Sequence, residues 1–230
     1  VRIVLFDIDG TLLLSGGAGL EALSRVFRLR YGLADAASGM EVHGLTDPAI
    51  LRGIARSRLS RELSDEEIAQ LAALYTETLQ EVLDASGSRF RLLPGARDAV
   101  EVLAARGDVA LGLATGNFEP AARAKLRRGG LHGHFAFGGY GSDSEDRFEL
   151  TRLAVERGRR AAGPDAPVLL VGDTVHDVRC ALAAGAECLA VATGNASEAT
   201  LEAEGAHWVV PSLESPRARR VLGLDPPGAL

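Results

Sequence analysis

The sequence predicts an α/β fold, a parallel-sheet core with a helical cap inserted after the first strand. Three observations predict it. Short, continuous apolar runs alternate with segments of helical periodicity. Between residues 16 and 91 the alternation stops, and only helical patterns remain. The strongest polar motifs each follow an apolar run, at the strand ends where open parallel sheets bind ligands.

The first run, RIVLF at 2–6, is rich in β-branched residues and ends at Asp7. VALGLA at 109–114 ends at Thr115, and VLLV at 168–171 ends at Gly172 and Asp173. CLAVA at 188–192 and HWVV at 207–210 complete a set of five. Such continuous runs fit strands covered on both faces. Helical segments at 94–105, 119–128, 148–161 and 177–184 lie between them, which makes βαβ units and a Rossmann-like sheet. In the last but one, Phe148, Leu150 and Leu153 mark the expected apolar side.

Segments 19–31, 47–59 and 64–83 also carry helical spacing, with Leu71, Leu74, Leu79 and Val82 on the last. Ser64 followed by Glu67 is a capping-box pattern. Some 75 helical residues are long for a connection within one domain. The expected division is therefore a core of residues 1–15 and 92–230 and a cap of residues 16–91. Gly16, Gly17 and Gly19 are candidate hinges between them. The Gly/Pro-rich tail from about Leu222 is expected to be loose.

Composition narrows the function. The 230 residues are 47% hydrophobic, which suits a globular protein with a core. A net charge of −6 argues against a general nucleic-acid partner, which needs a basic footprint. No run approaches the ~20 apolar residues of a membrane span. The apolar start is too short for a signal peptide, so a cytoplasmic location is expected. A first residue other than Met suggests an internal or processed start. Cys180 and Cys188 are expected to be buried structural thiols. Of 25 basic residues only Lys125 is a lysine.

The chemistry concentrates in FDIDGT at 6–11, ATGN at 114–117 and GDTVHD at 172–177. Each motif alone is a common turn sequence. Together they bring Asp7, Asp9, Asp173 and Asp177 to one sheet edge, beside the Thr115 hydroxyl and the backbone N–H groups of Gly116 and Asn117. Carboxylates packed this closely repel unless a cation neutralises them. Mg²⁺ suits a few carboxylate oxygens together with phosphate. Mg²⁺ with phosphate means phosphoryl chemistry, in which positioning and charge neutralisation do most of the work.

These three motifs resemble the signature of the haloacid dehalogenase superfamily of phosphohydrolases, along almost the whole chain and including the inserted cap. The pattern is most similar to the phosphoglycolate phosphatase and β-phosphoglucomutase group. The resemblance implies Asp7 as the nucleophile and Asp9 as general acid and then base. It implies a Mg²⁺ site formed by Asp7, the Asp9 backbone carbonyl and Asp173, with Asp177 nearby or joined through water. Thr115, Gly116 and Asn117 would hold the phosphate.

The family's third motif is a lysine. Lys125 lies mid-helix, ten residues after Thr115, and reads as a surface or packing lysine. Arg147, the first cation after the strand-like FAFGGYG, is assigned that role instead, with a surface arginine in an acidic loop as the alternative. On that assignment Arg147→Ala loses most turnover and Lys125→Ala keeps it. Asp143 and Asp146 either orient the guanidinium or are solvated. In the cap, HGLTDPAIL at 43–51 offers His43 and Thr46 to a substrate. Its alternative is a plain capping turn, with Asp47 before Pro48 at the first helical position.

The implied activity is hydrolysis of a small phosphorylated metabolite, phosphoglycolate favoured. A β-phosphoglucomutase-like phosphotransferase is the main alternative. A haloacid dehalogenase is disfavoured by Asp9, and a non-catalytic phosphate- or metal-binding domain by the complete motif set. Nothing in the sequence sets the oligomeric state.

Overall fold

β1 (Arg2–Phe6) is the centre from which the fold is built. In the computed structural model, which describes residues 1–85 and 89–225, it joins β4 (Val109–Thr115) on one side and β6 (Val168–Gly172) on the other. β5 (Phe137–Tyr140), β7 (Glu187–Val191) and β8 (Trp208–Val210) extend a six-stranded sheet in the order β5-β4-β1-β6-β7-β8. Every pairing in it is parallel. Side chains of β1 alternate between two apolar layers. Val4 and Phe6 enter one with Leu113 and Val171, while Ile3 and Leu5 enter the other with Leu170 and Cys188. All five expected runs form strands of this sheet, and FGGY adds the sixth.

Helices cover both faces, as parallel connections require. They are α4 (Ala96–Ala104), α5 (Glu119–Gly129), α6 (Arg147–Ala162), α7 (Val175–Ala183), α8 (Glu198–Ala203) and α9 (Pro216–Leu222). α6 buries Leu150, Thr151, Ala154, Val155 and Gly158 along one stripe. Phe148 falls off that stripe and is 48% exposed, contrary to expectation. The tail also differs, since Leu222 and Leu224 are packed into the core and only residues 226–230 lie outside the described residues. Both cysteines are buried and free.

The segment after β1 is helical, with one exception at each end. β2 (Leu13–Leu14) and β3 (Arg91–Leu92) pair antiparallel, so the chain leaves and returns side by side. Between them lie α1 (Ala18–Tyr31), α2 (Asp47–Ile54), a π-helical turn at Ala55–Leu59 and α3 (Asp65–Ala85). The Ser64 and Glu67 capping box forms, each side chain accepting the other's backbone N–H. These helices have their own apolar cluster, with Phe27, Leu51, Tyr75 and Leu79 at its centre. α5 serves both layers. Ala122 and Leu126 face the sheet, whereas Ala121 and Ala124 join the inserted helices. Among the described residues no helix is long and apolar enough to cross a membrane.

Candidate active site

Strand register sets the site. Phe6 lies opposite Leu113 on one side and Val171 on the other. The polar residues just beyond, Asp7, Thr115 and Asp173, therefore share one edge. All three are buried. With Asp177 from the first turn of α7, Asp7 and Asp173 offer oxygens that lie within 4.8 Å of one another.

The backbone makes this crowding possible. Gly10 has φ +87°, and a Cβ there would sit 2.2 Å from Asp173 Oδ2. From the far side, a Cβ on Gly194 would come within 1.7 Å of the same oxygen. The Thr11 hydroxyl donates to Asp173 Oδ1 at 2.9 Å. Asp177 closes a capping box on α7, accepting the Thr174 N–H and hydroxyl on Oδ2.

Burial in this cluster pushes the Asp7 carboxyl up to about 7, reinforced by Asp177 and opposed by Arg147. Asp173 is raised well above the usual carboxylate range by burial and by the Asp177 and Asp7 charges. Such a set holds excess negative charge that a hard cation with oxygen ligands relieves, and the donors fit Mg²⁺ on that ground. The Asp9 carboxylate stands outside the trio.

Two cations reach this edge. Arg147 opens α6 and pairs with Asp177 Oδ1. Its side chain is nearly buried, and its Nε has no hydrogen-bond partner among the described residues. Asp177 and Asp7 raise its pKa despite the opposing effect of burial. The acidic residues around it are braces. Asp143 pairs with Arg157 at 2.7 Å, and Asp146 caps α6 by accepting the Phe148 N–H at 2.8 Å.

Lys125 is the second cation, and it is no surface residue. It is 3% exposed, with Nζ 2.5 Å from Asp9 Oδ2 and 3.0 Å from Asn117 Oδ1. Burial opposes its charge, but Asp9 and Asp47 outweigh that and its pKa is raised. A helical side chain leans toward the helix N-terminus, so a lysine more than a turn into α5 reaches back to the strand end. Distance along the sequence concealed this.

Comparisons with known proteins identify the family and the fold. A family model for hydrolases, described as haloacid dehalogenase-like hydrolase, matches residues 1–185. The chain belongs to this family. Solved structures share the fold across nearly the whole chain. CbbY from Rhodobacter sphaeroides, in complex with phosphate, is 20% identical with a TM-score of 0.69, covering 95% of this chain and 98% of its own. A β-phosphoglucomutase candidate from Bacteroides vulgatus is 21% identical with a TM-score of 0.64, covering 96% and 88%. A haloacid dehalogenase-like hydrolase from Streptococcus pneumoniae is 20% identical with a TM-score of 0.61, covering 97% of each. No curated protein matches the chain significantly.

Against this family background, the loop before α2 divides its residues between site and scaffold. His43 is exposed at the edge of a cavity of about 410 Å³ that opens onto Asp7 and Asp9. Thr46 is not among that cavity's lining residues. It is the N-cap of α2, accepting the Ala49 N–H, and its hydroxyl donates to the Glu145 carbonyl at 2.9 Å. The candidate substrate contact at Thr46 is thus a contact between α2 and the loop before α6. Arg52 of α2 grips the same loop, its Nε 2.8 Å from Glu145 Oε2.

Asp47, read only as a capping residue, instead lies inside the cavity. It accepts the Phe118 N–H at 2.8 Å, and its own N–H donates to the Gly116 carbonyl at 2.7 Å. Burial pushes it up to about 6, opposed by Lys125. A second TGN, Thr193 to Asn195, also went unread. It follows β7, and the Thr193 hydroxyl donates to the Gly10 carbonyl at 2.6 Å. Its repetition of the first TGN was the available signal.

Proposed function

We propose that the chain is a Mg²⁺-dependent phosphatase that hydrolyses a small organic phosphate monoester through an aspartyl-phosphate on Asp7. The observation that carries this reading is the buried Asp7 carboxylate, flanked by Asp173 and Asp177, in a cavity also lined by Arg147, whose guanidinium is suited to a phosphate oxygen. Asp7, Asp173 and Asp177 would hold Mg²⁺, with the Asp9 carbonyl. When bound, Mg²⁺ supplies the positive charge that lets these acids ionise together beside a phosphate.

An Asp7 oxygen attacks phosphorus in line. The ester P–O bond breaks, its electron pair passes to the alcohol oxygen, and Asp9 donates the proton that oxygen needs. Water then attacks phosphorus as Asp9 takes its proton, and the bond to Asp7 breaks to release phosphate. Thr115 and the N–H groups of Gly116 and Asn117 steady the phosphoryl oxygens. Lys125 and Arg147 share the neutralising role expected of one lysine, Lys125 by holding Asp9 and Arg147 by facing the phosphate. The resemblance points to phosphoglycolate as substrate.

Phosphate release from a panel of esters, with Mg²⁺ and with chelator, tests the reading. Release that chelator abolishes and Asp7→Asn eliminates is expected. The phosphotransferase alternative draws support from the β-phosphoglucomutase candidate among the structural relatives. Turnover only in the presence of an added sugar bisphosphate would favour it.

A further inference from the structure

The cavity above Asp7 has two unlike ends. At the sheet edge it is lined by charge. Beyond that edge its wall is apolar, formed by Leu14, Leu20, Leu23, Val42, Leu45 and Ile50. Only six large apolar side chains are exposed among the described residues, and two of them, Leu20 at 39% and Leu45 at 40%, stand on this wall. Large apolar groups left open to a concave site mark an apolar ligand surface.

Charge at the same end points the same way. Among the described lining residues, Lys125 and Arg147 are the only lysine or arginine, and both already pair at the sheet edge, with Asp9 and Asp177. His43 lies at the exposed mouth, where water screens it. The other charged lining residue is a carboxylate, Asp47, which sits back against the TGN turn and accepts the Phe118 N–H. Tyr75 and Asn195 add neutral hydrogen-bonding groups. An alcohol carrying its own carboxylate or second phosphate would meet this apolar wall with no free lysine or arginine, and an anion desolvated there without a partner is costly.

We propose that the leaving alcohol is uncharged and mainly apolar, so that the substrate class is a monophosphate ester of an aliphatic or aryl alcohol, with phosphoglycolate disfavoured. This rests on the phosphatase reading above and replaces the substrate that the resemblance suggests.

The test compares kcat/KM for n-pentyl phosphate, 2-phosphoglycolate and glucose 6-phosphate with Mg²⁺ present. Pentyl phosphate is expected to lead each of the others by about tenfold or more, the scale on which apolar pockets discriminate. Leu20→Arg, which places a cation on the apolar wall at a partly exposed position, should move the pentyl-to-glycolate ratio toward phosphoglycolate by about tenfold. A lead for phosphoglycolate or glucose 6-phosphate in the wild type overturns the inference and leaves the phosphatase reading standing. So does an unmoved ratio in a folded Leu20→Arg protein. Should that variant fail to fold, the wild-type comparison decides alone. No release from any of the three overturns both.

Discussion

Lys125 Nζ lies 2.5 Å from Asp9 Oδ2, across a span of 116 residues. The pair joins α5 to the turn after β1, and it holds the Asp9 carboxylate, which is not one of the Asp7, Asp173 and Asp177 trio. If Asp9 moves the proton of the leaving alcohol, Lys125 fixes where that proton is delivered.

Replacing the ammonium while keeping an unbranched side chain isolates that role. Lys125→Met is expected to lower kcat by about 10²–10³, the scale found when one preorganised charge stabiliser is lost. Circular dichroism should show an intact fold. Steady-state phosphate release at wild-type rates would return Lys125 to a packing role. This reverses the expectation drawn from sequence that Lys125 is dispensable.

Arg147→Ala is also expected to lose most turnover. Its partner Asp177 is then left with Thr174 alone. Because the guanidinium is suited to the phosphate itself, inorganic phosphate should inhibit the variant at least about tenfold more weakly than the wild type. Equal inhibition constants would show that Arg147 serves Asp177 only.

The raised acids set a pH dependence with a definite sign. Asp7 is pushed up to about 7 and Asp47 to about 6, above the ~3.9 of an unfolded aspartate. Between those values the folded chain binds more protons than the unfolded one, so metal-free stability falls as pH rises from about 4 to about 7. If Asp7 helps to hold Mg²⁺ as proposed, protons compete with the metal for it. The rise in Tm on adding Mg²⁺ should therefore be small at pH 5.5 and larger at pH 8. Calorimetry in both buffers checks this, and equal rises would contradict it.

Asp47→Asn separates the cavity acid from the metal cluster. The amide oxygen can still accept the Phe118 N–H, so the local turn is kept. Relative to wild type, the variant should gain stability between pH 4.5 and pH 7.5, because it no longer carries a buried acid that must ionise there. Urea unfolding at the two pH values measures the difference. A difference that does not change with pH would remove Asp47 from the account.

Much of this was legible because strands buried on both faces announce themselves. IVLF, VALGLA and VLLV could be read as apolar throughout, and the shared edge of Asp7, Thr115 and Asp173 after them followed from register. FGGY was harder, since two of its four residues have no side chain to declare a strand. Lys125 was missed because a linear count from Thr115 ignores the direction in which helical side chains lean. Asp47 and Thr46 exchanged expected roles for a similar reason. Either can cap a helix, and only the approach of α5 shows that Asp47 is needed at Phe118. Phe148 misled because a helix's first turn can carry an apolar residue that the buried stripe never reaches.

The loop that leads into Arg147 at the start of α6 carries Glu145, two residues earlier, and Glu145 is held by Thr46, the N-cap of α2, and by Arg52 of α2. One short stretch is thus tied at one end to the inserted helices and at the other to the Asp177 carboxylate. Swinging α2 away from the sheet must either break its hold on Glu145 or tug the guanidinium from its seat. Under the proposed function, this linkage would couple any opening of the inserted helices to the seat of the cation that faces the anion.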